Sequence, residues 1–281
     1  MKRIKIIAHC LVRNEGRFIW YAIRSVLPFV DQIMVWDTGS TDKTVQIVKL
    51  IKSPKIIIKE LSPVDPESFT KVSQQMIEET PIEYNWILIL DGDEIWPEKS
   101  IREVTEFAKN NPLYESVVVR SNNLVGDIYH RLPASAGKYL LAGQKGHLAL
   151  RLMNMNTIPG LHFDLPHGRR GLFDNQGRLI QDRDSDKIKF LDLYYHHATH
   201  LPRSLSQGGD AIVPKRKQKI KFEIGENIPD DQIPEIFFSR ERPDLVPDVT
   251  SPAPFSFWLI SALLTIPRRL KRLLVKGKDG Y

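Results

Sequence analysis

Short apolar runs recur along the first hundred residues, and the segments between them have helical length. That alternation constrains the fold more than any other feature of the chain. Residues 4–8, 32–36, 55–59 and 86–90 are nearly continuous apolar stretches of strand length. Between the first two, Phe18, Ala22 and Val26 recur at helical spacing and the pattern ends before Pro28. Thr41 or Asp42 can cap a second helix carrying Val45, Ile47, Val48 and Ile51. Residues 66–79 and 97–110 read as further helices, and 116–120 as another strand. Continuously apolar strands alternating with helices predict an α/β fold with a mainly parallel sheet covered on both faces.

Beyond residue 120 the pattern loosens. Residues 121–185 are rich in Gly, Pro, Asn and His, with short strand-like pieces at 148–152 and 161–163, and residues 187–197 alternate again. We divide the chain into four stretches: residues 1–120, residues 121–221 of the same globular body, a proline-rich and acidic wrap or linker at 222–254, and an apolar and basic tail at 255–281. The single cysteine, Cys10, excludes a disulfide framework and a cysteine-based zinc cluster, and reads as core. MKRIKIIAHC is basic and then apolar, but Arg13 and Glu15 follow at once, so it reads as a first strand and not a signal peptide.

The chain has 40 basic and 34 acidic residues, a net charge of +6. Two acid-free stretches carry the excess: KRKQKIK (215–221) with five basic residues and RRLKRLLVKGK (268–278) with six. Without them 29 basic residues face 34 acidic ones. An acidic body with a basic C-terminal third is not a nucleic-acid binder; it suits a localised anionic partner such as a membrane surface.

In open α/β sheets, ligands bind beyond the carboxyl ends of the strands. The first strand is followed by Arg13-Asn14-Glu15, the second by WDTGSTDKT with Asp37 at the strand end, and the fourth by Asp91-Gly92-Asp93-Glu94. Three carboxylates within four residues repel one another unless a cation lies between them, and hard oxygen ligands suit magnesium or manganese. Gly92 allows a tight turn there. Asp37 can accept hydrogen bonds from a ribose or a base. Neither a G-x-G-x-x-G nor a G-x-x-x-x-G-K-[ST] phosphate loop occurs, which argues against a dinucleotide site and a P-loop.

LVRNEGRFIWYAIRSVLPFVDQIMVWDTGSTDKT followed by WILILDGDE resembles a family 2 glycosyltransferase of the GT-A fold over about residues 4–120. The resemblance implies a GT-A-like mixed, mainly parallel sheet and an inverting transfer of sugar from a nucleoside-diphosphate sugar. It implies that Asn14, Glu15 and Asp37 hold the nucleoside. The Asp-x-Asp pair, Asp91 and Asp93, would hold a Mn2+ or Mg2+ bound to the diphosphate. In YYHHATHLPRS, His197 aligns with a late histidine near the metal, and Arg203 meets phosphate. Strand alternation places His196 and His197 on opposite faces, so at most one enters the site. Family members often carry a His-Glu pair that supplies the base. Here GLHFDLPHG has Gly168 in place of the glutamate, so Asp164 is the first candidate for the base and His167 the second. Trp96 either stacks on an acceptor sugar or plugs the core. Acceptors of such enzymes are cell-envelope glycans or lipid-linked molecules.

The tail places FSFWLISALLTIP before Arg268, Arg269, Lys271 and Arg272. The apolar run is too short to span a bilayer. Pro267 can open a helix with Leu270, Leu273 and Leu274 on one face. Two readings follow: an interfacial helix on an anionic leaflet with Trp258 at headgroup level, or a helix docked on the body. The first implies a cytoplasmic protein, peripheral on the inner face of the membrane. Two other functions compete with a transferase. A sugar nucleotidyltransferase would need a Gly-rich, Arg-bearing loop after the first strand. A catalytically inactive, membrane-associated binding module would have no need of the Asp91/Asp93 pair.

Overall fold

The computed structural model describes residues 3–166 and 170–274. His167 and the last seven residues lie outside them. The first half runs β1 (Ile6–Val12), α1 (Ile19–Val26), β2 (Gln32–Asp37), α2 (Thr44–Leu50), β3 (Ile56–Glu60), α3 (Phe69–Glu78), β4 (Trp86–Ile89), β5 (Glu94–Ile95), α4 (Glu98–Asn110) and β6 (Ser116–Asn123). The second half carries three short strands, β7 (His130–Arg131), β8 (Tyr139–Leu141) and β9 (Gln144–Gly146), and then β10 (Leu148–Asn154). After these come β11 (His162–Asp164), β12 (Gly171–Phe173) and β13 (Ile188–His197). The chain closes with α5 (Gly209–Ile212), α6 (Arg216–Lys219), β14 (Glu226–Asn227) and α7 (Phe255–Leu274).

Eight strands form one sheet in the order β3-β2-β1-β4-β10-β6-β13-β5. β1 to β4 pair in parallel; β10 runs antiparallel between β4 and β6, β13 lies parallel to β6, and β5 closes the edge antiparallel to β13. The sheet is thus mixed and mainly parallel, as the alternation of runs predicts. Its strands read as solid apolar blocks because both faces are covered. Ile6, Ala8 and Cys10 enter the core on one face, while Ile7 joins Met34, Trp36 and Ile87 on the other. The N-cap of α2 is Lys43, which makes no side-chain cap, and not Thr41 or Asp42; Asp42, one residue earlier, accepts from the Thr44 amide at 2.9 Å.

Two C-terminal expectations change. The helix does not open at Pro267; it begins at Phe255, with Pro267 inside it. Pro267 is exposed, so the backbone hydrogen bond it cannot make is lost where water can replace it. Trp258 does not stand out at a membrane surface. It packs edge-on against His130, with ring centroids 4.6 Å apart, and its indole N–H donates to the Ala253 carbonyl at 3.1 Å. The proline-rich stretch before α7 wraps the body and buries Ile228, Ile233, Phe237 and Val246 in the main core.

Candidate active site

The turns after β1 and β4 meet at the carboxyl edge of the sheet, and β5 brings the distant end of β13 to them. His197 pairs with Glu94, and the Ala198 amide donates to the Asp93 carbonyl at 2.9 Å. Residues about a hundred positions apart in sequence therefore share one short edge. Gly92 makes the turn possible: a Cβ there would lie 2.8 Å from Glu15 Cγ. Asp42 fastens the late loop to the early ones by accepting from the Ser204 hydroxyl and the Leu205 amide, each at 3.0 Å. The Arg17 amide donates to the Arg203 carbonyl at 2.9 Å and fixes that residue's place.

A cleft of about 450 Å³ opens above this edge, with Glu15, Asp91, Asp93, His197 and Arg203 in its wall. Ligand atoms of Asp91, Glu94 and His197 all lie within 4.8 Å of one another. Two carboxylates and an imidazole within that span fit a hard divalent cation, and the nitrogen ligand favours manganese over magnesium. Glu94 has no metal role in the sequence reading, yet it is a member of this trio. Asp93 lies one step deeper. Its Oδ2 is 2.7 Å from Arg203 Nη1 and 3.4 Å from His197 Nε2. Burial would raise its pKa, but Arg203 and His197 outweigh burial and hold it below the usual carboxylate range.

The neighbouring carboxyls are shifted the other way. Glu94 is fully buried against the Arg151 guanidinium, and burial pushes its pKa well up despite that partner. Glu15 is pushed up to about 8 by burial, against the pull of Arg203 and Arg216. Arg151 is the one charge in the apolar strand LALRLMN, and that placement was its sequence signal. It reaches Glu94, lies 3.7 Å from Asp91, and donates to the Tyr195 hydroxyl at 2.9 Å.

The basic stretch 215–221 corrects the sequence reading. Lys215, Arg216 and Lys219 line the cleft, so this part of the excess positive charge faces the acidic site. Arg216 is buried, ion-paired to Glu15, and donates to the Asn14 carbonyl at 2.6 Å. Lys215 makes the turn into α6 at a φ of +60°. Arg13, Arg170 and Arg203 add to the same cationic lining.

The remaining expected site residues are distributed differently. Asp37 is buried. Its Oδ2 accepts from the Gly39 and Ser40 amides at 3.0 and 2.8 Å, and its Oδ1 has no hydrogen-bond partner. Asn14 is buried with a φ of +54°, accepting from the Thr41 amide at 2.7 Å and donating to the Gly209 carbonyl at 3.2 Å; its side chain ties loops together. His196 is buried with neither ring nitrogen partnered, whereas His197 faces Asp93. The structure does not bring Trp96 to the cleft. Its ring is buried 5.2 Å from that of Tyr195 and borders a separate 710 Å³ groove between α1 and α4 that shares no lining residue with the cleft. Asp164 is exposed at the end of β11, paired in register with Gly171, and is not among the residues that line the cleft.

A 90-residue stretch is 36% identical to an uncharacterized glycosyltransferase of Rickettsia bellii (strain RML369-C), covering 32% of this chain and 28% of that protein. A stretch of the same length is 36% identical to an uncharacterized glycosyltransferase of Rickettsia felis. These matches span under a third of either relative's length. Among solved structures, S. aureus TarS is similar at a TM-score of 0.46 and 14% identity over 70% of this chain and 37% of that one. Glucosyl-3-phosphoglycerate synthase from Mycobacterium tuberculosis, crystallised with Mn2+, uridine-diphosphate-glucose and phosphoglyceric acid, is similar at 0.47 and 17% identity over 77% of each chain. The family model for glycosyl transferase family 2 matches residues 11–174, more than half of the sequence, and the chain belongs to that family.

Proposed function

We propose that this glycosyltransferase moves a sugar from a nucleoside-diphosphate sugar to a hydroxyl of a glycan or lipid-linked acceptor, with inversion and with help from Mn2+ or Mg2+. One observation carries the reading: a carboxylate–imidazole trio fit for a divalent cation presents two members, Asp91 and His197, in the wall of a cleft that six cationic side chains fit for a diphosphate also line, with Glu94 buried behind them. Asp91, Glu94 and His197 would hold the cation, with Asp93 beside them. The cation would supply Lewis-acid charge neutralisation for the departing diphosphate. Arg203, Arg216, Lys215 and Lys219 bind the diphosphate oxygens and offset their charge, and Asp37 Oδ1 accepts from the nucleoside. The unpartnered Oδ1 supports that role, since a buried carboxylate oxygen without a donor is costly until a ligand supplies one.

An inverting displacement needs a base on the face opposite the leaving group. Asp164 remains the carboxylate we assign to that proton, supported by the register pairing of its strand with β12, which directly follows the cleft-lining Arg170. We place the reaction at an anionic membrane surface on the cytoplasmic side. No described helix is long and apolar enough to cross a membrane.

A thermal-shift series with uridine, guanosine and thymidine diphosphates, each with and without MnCl2, tests the donor site, because a ligand bound only by the folded state raises the melting temperature with occupancy. One nucleotide should stabilise the protein in a manganese-dependent way, and Asp91→Asn, which removes a member of the trio, should remove that dependence. Nucleotide binding indifferent to the metal in both proteins would overturn the metal role.

A further inference from the structure

α7 is docked by its polar side. Ser261 and Thr265 are buried, the Thr265 hydroxyl accepts from the Ile224 amide at 2.8 Å, Arg268 donates to the Phe222 carbonyl, and Arg272 is ion-paired to Glu223. Phe257 and Trp258 complete this side, with Phe257 packed on Phe222 at 5.5 Å between ring centroids. The other side carries Phe255, Leu259, Leu263, Ile266 and Leu270, spaced by four, four, three and four residues, and all five are exposed. Phe255 is 81% exposed and Leu263 73%. A helix packed on a globular body normally buries its apolar stripe and wets the polar one. Here the arrangement is inverted over a 20-residue helix about 30 Å long. A continuous apolar strip of that length on a surface marks an interface.

We propose that α7 is an interfacial helix whose Phe255–Leu270 stripe lies in the headgroup and acyl boundary of an anionic lipid leaflet. The inference rests on the transferase reading above and names the surface by which it meets a membrane. Charge selects the occupant. Residues 251–274 contain no acid; at one end Arg272 is paired with Glu223, while Arg268 and Arg269 bond the backbone carbonyls of Phe222 and Ile224, which leave their charge uncompensated. A second copy of this helix would offer those cations no partner, whereas an anionic leaflet attracts them. The helix cannot span, so it lies in the plane of the interface. Lys219 lines the cleft, and Phe222 and Ile224, a few residues further along the chain, carry the backbone groups that hold α7.

Vesicle co-sedimentation of the full chain tests the proposal, using phosphatidylcholine alone and phosphatidylcholine mixed with an equal part of phosphatidylglycerol. The full chain should sediment with the anionic vesicles and far less with the neutral ones, and added salt should release it. Leu259→Glu/Leu263→Glu/Ile266→Glu should lose vesicle binding by more than tenfold, with circular dichroism and the nucleoside-diphosphate thermal shift unchanged. Leu263→Ser alone should give a smaller loss in the same direction. Absence of sedimentation, or equal sedimentation of the triple variant, overturns the proposal. So does a full-chain dimer in light scattering that the triple variant converts to monomer. Because nucleotide binding is read without vesicles, loss of the membrane surface and loss of the transferase reading give different results.

Discussion

Asp37 and Asp164 show how differently two carboxylates with assigned roles can sit. Asp37 is held at the end of β2 by two backbone amides on one oxygen, leaving the other oriented and unpartnered. A charge-assisted hydrogen bond to the nucleoside is worth about 1.5–3 kcal/mol. Asp37→Ala should therefore raise the donor KM by about 10- to 100-fold with kcat nearly unchanged, as steady-state kinetics over a donor titration would show. Asp164 is exposed, and its Oδ1 accepts from the Leu165 amide at 2.6 Å. If it takes the acceptor proton, Asp164→Asn should lower kcat about 100-fold or more while the nucleoside-diphosphate thermal shift persists. An unchanged kcat would move the role elsewhere. Glu15 and Asp91 were legible because acids directly after apolar strands are rarely accidental. Asn14 was legible as a site residue but not as a clamp: its partners, Thr41 and Gly209, are set by loop paths that no local pattern encodes.

At the scale of elements, the first half of the fold could be read and the second could not, for a physical reason. β1 to β4 and their helices are set by local signals: period and turn residues. β10 enters between β4 and β6, and β5 consists of two residues whose strand character comes entirely from pairing with β13. Such non-local pairing leaves no periodicity to find. The basic stretch 215–221 was visible, but its direction was not, since solvated and cleft-lining cations have the same spelling. Arg151 was passed over in the sequence reading, although a lone charge inside an apolar strand must find a buried partner. Removing one member of a buried ion pair typically costs about 3–5 kcal/mol. Arg151→Met should lower the unfolding free energy by about that amount in urea titration, and adding Glu94→Gln should recover much of the loss.

At the scale of the whole molecule, four histidines are held neutral. Burial lowers the pKa of His9, His196 and His200 to about 3 and that of His147 to about 4. An unfolded histidine titrates near 6.5. Between pH about 6.5 and these folded values the unfolded chain binds more protons, so stability rises with pH there and is lost on acidification. The slope is at most about 1.4 kcal/mol per pH unit for each residue. The melting temperature should fall from pH 7.5 to pH 5, and His196→Phe, which removes an unpartnered imidazole, should flatten that fall. The closure of the sheet edge by β5 and β13 also orders events in time. Asp91, Asp93 and Glu94 leave the ribosome about a hundred residues before His197 and Arg203, which at about 5–20 residues per second is an interval of about 5–20 s. During synthesis the nascent chain thus holds a cluster of acids with neither its histidine nor its arginine, and the edge that would hold a cation is complete only once β13 and the loop after it have emerged.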